Sequence, residues 1–241
     1  MAGRANHVAG FGPAGGDMIV RRFKEIHAIA AERKGGKDAL ETFLERPIPS
    51  SRLANLPDDR WLSRMTKCVF QAGFNWKVVE SMWPGFEEAF EGFDLGRCAM
   101  LNDDDFARLV ADTRIVRHGT KIRSVQHNAM FVAELAREHG GAGKAFGCWP
   151  PSDYVGLLAL LKKRGSRLGG NTGQYFLRFM GVDSFILSRD VIARLIAEGI
   201  VDKAPSSQKA MTAVQEAFNA WRAESSRSLT EISRVLAMSI G

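Results

Sequence analysis

The sequence predicts an all-α fold of about ten helices. Three observations lead there. Apolar residues recur at three- and four-residue spacing along most of the chain. No stretch alternates apolar and polar residues as a strand does, and two tyrosines and eight prolines make a β-sandwich a poor fit. Helix-starting and helix-stopping residues stand at the ends of the periodic stretches.

Met18 to Lys34 places Ile19, Phe23, Ile26 and Ala30 on one stripe, and Gly35-Gly36 stops it. Asp58-Asp59 can cap a second helix with Trp61, Met65, Cys68 and Val69 inward. Gly73 breaks that helix, and Asn75 caps a third that carries Trp76, Val78 and Val79. Pro84-Gly85 interrupts the chain again. Asn102, followed by three aspartates, is a strong start, because acids favour the positive end of the helix dipole. Lys121 to Glu138 is amphipathic, with Ile122, Val125, Ala129, Val132 and Leu135 inward. Gly140 to Pro151 reads as a loop, and Ser152 caps a helix through Leu161. Thr172–Met180, Ser188–Glu198, Ser207–Glu224 and Leu229–Ile240 complete the set. There is no internal repeat. Residues 1–15, rich in Gly and Ala, are expected to be disordered, leaving 16–241 as the folded domain.

Composition narrows the function classes. No apolar run approaches the length of a membrane span, and no secretory h-region is visible near Met1. Cys68, Cys98 and Cys148 are odd in number and lack CxxC spacing, so neither a disulfide framework nor a Cys-based zinc site is expected. A reducing cytoplasm is the default compartment. Phosphate-binding P-loop and dinucleotide motifs are absent. Asp103-Asp104-Asp105 reads as an acidic helix start rather than a metal site.

The net charge of +6 is unevenly distributed. Glu80 to Asp105 holds eight acids and one base, whereas Gly156 to Ala210 holds nine bases and four acids. Such blocks suit an anionic partner. The informative segment runs from Leu160 to Gly173. Lys162, Lys163, Arg164 and Arg167 lead into Gly169 and Gly170, and a helix starts near Asn171 and Thr172. Glycines admit close approach, and the free N–H groups of a helix start hold phosphate oxygens. This describes a helix-hairpin-helix that grips a DNA backbone without reading sequence. A tight helix-helix turn with its lysines in water is the alternative.

Gln71-Ala72-Gly73-Phe74-Asn75-Trp76 resembles the Q-A-G-(apolar)-(Ser/Asn)-W signature of the bacterial DNA-3-methyladenine glycosylase I family, within the helix-hairpin-helix glycosylase superfamily. The resemblance continues through Phe86, Phe90, Phe93-Asp94, Ile115-Val116-Arg117-His118, Lys121-Ile122 and Asn128-Ala129. It resumes at Lys162-Lys163-Arg164-Gly165, Gly170, Thr172 and Tyr175. It implies two helical lobes with a base pocket between them. It also implies hydrolysis of the N-glycosidic bond of an alkylated purine such as 3-methyladenine, after that base is flipped from duplex DNA. A monomer in the cytoplasm, associated with the nucleoid through DNA, is the implied setting.

The resemblance assigns roles residue by residue. Trp76 would stack on the flipped base, with core packing as its alternative. Gln71 and Cys68 would line the same pocket. Gly73-Phe74 would be the wedge in the vacated stack, with a core phenylalanine at a bend as the alternative. Lys162, Lys163, Arg164, Arg167, Gly169, Gly170, Asn171 and Thr172 would hold the backbone. A monovalent cation on the hairpin carbonyls would bridge to phosphate, and no other cofactor is expected. Tyr175 reads as structural, and His118 as DNA-proximal or structural. The superfamily's catalytic aspartate falls near Ser188 or Asp190, and Asp190 could serve the sugar or cap its own helix.

Three departures from the family stand out. Cys68 occupies the position of a base-reading glutamate, and a buried structural thiol is its plainer reading. The zinc ligands of the family are missing, with Asp190 and Arg194 where histidine and its partner would lie, so no zinc is expected. The family's aromatic-rich segment is not evident in Arg46 to Pro57. A DNA-binding protein that keeps the fold without the chemistry is the rival reading.

Overall fold

The computed structural model describes residues 21–240; the stretch expected to be disordered, 1–15, lies outside them. The described residues form fifteen α-helices and two short 3-10 turns, with no strand among them. The all-α expectation holds, and the helices outnumber the ten expected because short ones fill the connections. The chain divides into two compact units. One holds 21–44, 187–227 and 231–240; the other holds 45–186 and 228–230.

In the first unit, α1 (Phe23–Arg33) packs on α2 (Lys37–Glu41) and on a later helix, Gln208–Ser225. Phe23, Ile26, Ala30, Leu40, Phe218 and Trp221 are buried there. Glu224 serves the N-terminus of α1, where the preceding Arg22 offers no side-chain cap: it accepts the Phe23 N–H at 2.9 Å.

The second unit begins with α3 (Ser50–Leu53) and α4 (Asp58–Gln71), continues through α5 (Trp76–Ser81), α6 (Trp83–Ala89), α7 (Leu95–Ala99) and α8 (Asp103–Ala111), and reaches α9 (Gly119–His139). Then come α10 (Ala142–Gly147), α11 (Tyr154–Arg164) and α12 (Asn171–Met180). The long helices α4 and α9 pack together at its centre, with α7 against α9 and α12 against α4. Phe70, Phe86, Phe90, Phe93, Ile122 and Val125 form one buried cluster. Trp61, Phe146 and Phe176 form another, with ring centroids 5.3 to 6.0 Å apart. After α12 come α13 (Arg189–Ala197), α14 (Gln208–Ser225) and α15 (Leu229–Met238).

Local start signals place several of the helices, although Asp153 rather than Ser152 stands at the N-cap of α11, which runs on to Arg164. Asn75 accepts the Lys77 N–H at 2.9 Å, and Asn102 makes a capping box with Asp105. Ser188 and Ser207 cap α13 and α14.

Three expectations are corrected. Residues 140–151 are not all loop: α10 forms there because Gly143 and Gly147 sit flush against α3. A Cβ at Gly143 would stand 2.3 Å from the Leu53 carbonyl oxygen. Asp58 does not cap its own helix; Pro57 occupies that place, and the Asp58 carboxylate accepts the Ala142 N–H of α10 at 2.7 Å. Pro84 lies within the first turn of α6, where its missing N–H costs nothing.

Candidate functional site

The hairpin between α11 and α12 is defined by steric demands. Leu168 is its buried anchor. A Cβ on Gly173 would lie 2.3 Å from the Leu168 carbonyl oxygen, so only glycine lets the loop close onto the helix. Gly170 precedes α12 at φ 58°, ψ −140°, a conformation that side chains other than hydrogen strain to adopt. The exposed stretch Gly169-Gly170-Asn171 therefore presents a bare helix start, with the Lys162 and Lys163 side chains also in water.

Two other basic residues are held by the protein. Arg164 donates to Glu138 through both terminal nitrogens, at 2.7 and 2.8 Å, and to Glu134 at 2.9 Å. Those hydrogen bonds hold its pKa above the usual arginine value. Its charge is answered within the protein by two carboxylates. Arg167 donates to the Thr120 hydroxyl at 2.9 Å, at the start of α9.

Trp76 opens α5 and is 43% exposed. It does not lie in packed hydrocarbon. Its ring meets Tyr175 at 5.4 Å and Phe179 at 5.8 Å, both nearly perpendicular. Tyr175 and Phe179 stand one turn apart on α12, so the helix that starts at the hairpin also furnishes the aromatic wall beside Trp76. Phe74 is 41% exposed, on the turn opened by Gly73 at φ 75°. It too is not a core residue.

Residues 55–147 match the family model described as methyladenine glycosylase. Over 71 residues the chain is 35% identical to DNA-3-methyladenine glycosylase 1 of Escherichia coli K12, covering 30% of this chain and 37% of that protein. The chain thus spans little more than a third of the curated relative's length. Through residues 55–147 the chain is similar to the methyladenine glycosylase family. Among solved structures, 8-oxoguanine DNA glycosylase from Methanocaldococcus jannaschii covers 88% of this chain and 89% of its own at TM-score 0.51 and 15% identity, a likeness of fold. The 3-methyladenine DNA glycosylase I of Staphylococcus aureus covers 57% and 80% at TM-score 0.48 and 19% identity.

The remaining candidates lie as follows. Gln71 and Cys68 are buried in the last turns of α4. Burial pushes the Cys68 thiol up to about 12, against the opposing fields of Arg64 and Lys67. The sulfur is a neutral, enclosed group at physiological pH, as the plainer reading of the sequence expected. Asp190 is exposed in the first turn of α13, in the other unit. Ser188, not Asp190, caps that helix, accepting the Val191 N–H at 3.3 Å.

Zinc does not fit the residues present at the positions the resemblance assigns to it. Arg194 is buried, donating to Glu198 at 3.0 Å and to the Ser239 hydroxyl and carbonyl at 2.8 and 2.7 Å. Glu198 also accepts from Arg21 at 2.8 Å. An arginine–carboxylate cluster thus joins Arg21, α13 and Ser239 within the first unit. Among the described residues no group of three or more His, Cys, Asp or Glu side chains is arranged to hold a metal ion.

Four residues escaped sequence reasoning as parts of the site. Phe179 could have been found from its spacing to Tyr175. Asn128 is fully buried and clasps the hairpin: its amide donates to the Ser166 carbonyl at 3.1 Å and accepts the Ser166 N–H at 2.8 Å. Lys121 is 5% exposed and reaches the turn before Phe74. Thr120 bridges His118 and Arg167. Nothing local in the sequence marks the last three. Two surface clefts of about 220 and 520 Å³ lie near Glu91; Trp76 lines neither.

Proposed function

We propose that this chain is a DNA N-glycosylase of base-excision repair that everts an alkylated purine, such as 3-methyladenine, and hydrolyses its N-glycosidic bond. The observation that carries the reading is the pair of outward aromatic side chains, Phe74 and Trp76, on either side of the capping Asn75. One suits the gap left by an everted nucleotide; the other suits the base itself. The match of residues 55–147 to the methyladenine glycosylase family model and the open hairpin at Gly169–Gly170 support it.

Eversion costs a few kcal/mol, and stacking on an aromatic ring returns about 1–3 kcal/mol. A cationic methylated purine gains further from the electron-rich indole face. Lys162, Lys163 and the amide groups at the start of α12 hold the strand, acting without sequence preference. Cys68 supplies no carboxylate, so the reaction draws on the leaving group's own charge. The C1′–N bond breaks with its electron pair passing to the base, which departs neutral. The oxygen of water takes C1′, and a proton is released. The protein acts as a monomer and needs no cofactor beyond a monovalent cation on the hairpin carbonyls.

Chromatography of free base released from methylated DNA tests this. Trp76→Ala should cost at least about a hundredfold in release, yet leave affinity for undamaged duplex within about threefold. The absence of release from several alkylated substrates would refute the enzyme. Buried Cys68 favours a second reading, a duplex-binding protein without the chemistry, which predicts salt-sensitive binding and no released base.

A further inference from the structure

The turn between α4 and α5 rests on an unusual support. The Lys121 ammonium, from the first turn of α9, donates to the Phe70 carbonyl at 3.1 Å and to the Ala72 carbonyl at 2.7 Å. These oxygens belong to the end of α4 and the residue just beyond it, where carbonyls lack helical partners. The same ammonium lies 4.6 Å from the centre of the Phe74 ring. His118 meets that ring edge-on at 6.3 Å. One cation therefore fixes both the backbone leading into the exposed ring and the ring's own face.

Its setting is costly. The residue is almost wholly buried. Burial, with the charge of Arg167 acting in the same direction, lowers its pKa from the ordinary lysine value. A buried charge without a carboxylate is a poor device for stability, and an apolar side chain of equal length is often tolerated as well. What such a side chain could not do is hold two carbonyls and an aromatic face at once.

We infer that Lys121 is a positioning residue that aims Phe74 outward as the wedge. It acts through the Phe70 and Ala72 carbonyls and the Phe74 ring, and need not touch a base or a sugar. The inference rests on the wedge reading of Phe74 given above. Phe74 is a large apolar side chain held toward water, and its turn contains a glycine at positive φ. Left alone, such a ring would fold back onto the protein. Lys121 holds it in place before DNA arrives.

Two measurements test this separately. First, 4-fluorophenylalanine in place of Phe74 reports the ring's surroundings by fluorine NMR with no DNA present. Lys121→Met should shift and narrow that resonance as the ring is released; an unchanged resonance would overturn the inference. Second, 2-aminopurine fluorescence in a lesion-bearing duplex reports eversion. Lys121→Met should lower eversion about tenfold in the native background and less than twofold in a Phe74→Ala background, because the lysine acts through the ring. Additive losses would overturn the inference. Lys121→Gln, which keeps donors without the charge, is carried through both measurements and decides them if the Met variant does not fold. If the unaltered protein everts nothing, the glycosylase reading fails, and the fluorine measurement alone decides the positioning.

Discussion

Replacing Asn128 by alanine removes the clasp on the hairpin. Asn128 is fully buried, and both halves of its amide are engaged by the backbone of Ser166. Each lost hydrogen bond removes about 1 kcal/mol, and each backbone group left without a partner adds a desolvation cost of about 1 kcal/mol or more. Ser166 is half-buried, so water recovers part of that. The expected loss is roughly 2–3 kcal/mol. Urea unfolding followed by circular dichroism measures it. The same substitution frees the loop that carries Arg167, Gly169 and Gly170, so duplex affinity at fixed salt should fall about tenfold through lost preorganisation. A stability loss below about 0.5 kcal/mol would refute the reasoning, since it would mean that the Ser166 groups are satisfied without Asn128.

Other outcomes follow from the same geometry. Gly173→Ala should destabilise more than Gly170→Ala, because its Cβ would meet the Leu168 carbonyl oxygen at 2.3 Å, whereas Gly170 has nothing within 4 Å and only its φ of 58° to oppose a side chain; thermal unfolding ranks the two, and the reverse order would refute the hairpin geometry. In the native protein a thiol reagent at pH 8 should modify Cys148 quickly and Cys68 and Cys98 only on unfolding, since burial pushes both buried thiols up to about 12 and leaves roughly one part in ten thousand as thiolate; fast reaction of two or more thiols would contradict it. Burial alone would raise the pKa of Glu87, but hydrogen bonds from Arg60 and Ser63, with the Arg60 charge and the Trp83 N–H, hold it below the usual carboxylate value. Its contribution to stability is therefore present above about pH 4.3 and lost as pH falls through the lowered folded value. Urea titrations at pH 7 and pH 3 should differ less in Glu87→Gln than in the native protein, and an equal difference would count against this pairing.

The candidate site was legible where its signals were local. Asn75 one residue before Trp76, Gly73 before Phe74, and the glycine pair after a run of cations can all be read along a few residues, and the structure leaves both Phe74 and Trp76 exposed. Arg164 shows what local reading leaves out. In sequence it stands beside Lys162 and Lys163, yet its turn of α11 faces Glu134 and Glu138 of α9, so neighbouring cations meet different surroundings.

The chain's periodicity and capping residues determined by themselves that it would be helical, and where most long helices would begin, because those preferences act over a turn or two of backbone. Tertiary structure alone decided that a glycine-rich stretch would form α10 against Leu53, that Asp58 would serve Ala142, 84 residues away, and that Asn128 would hold Ser166, 38 residues on. It also decided that Lys121 would reach back 51 residues to Phe70. A carbonyl or an N–H left over at a helix end accepts whichever polar group packing brings near, and no short-range pattern specifies which one that will be.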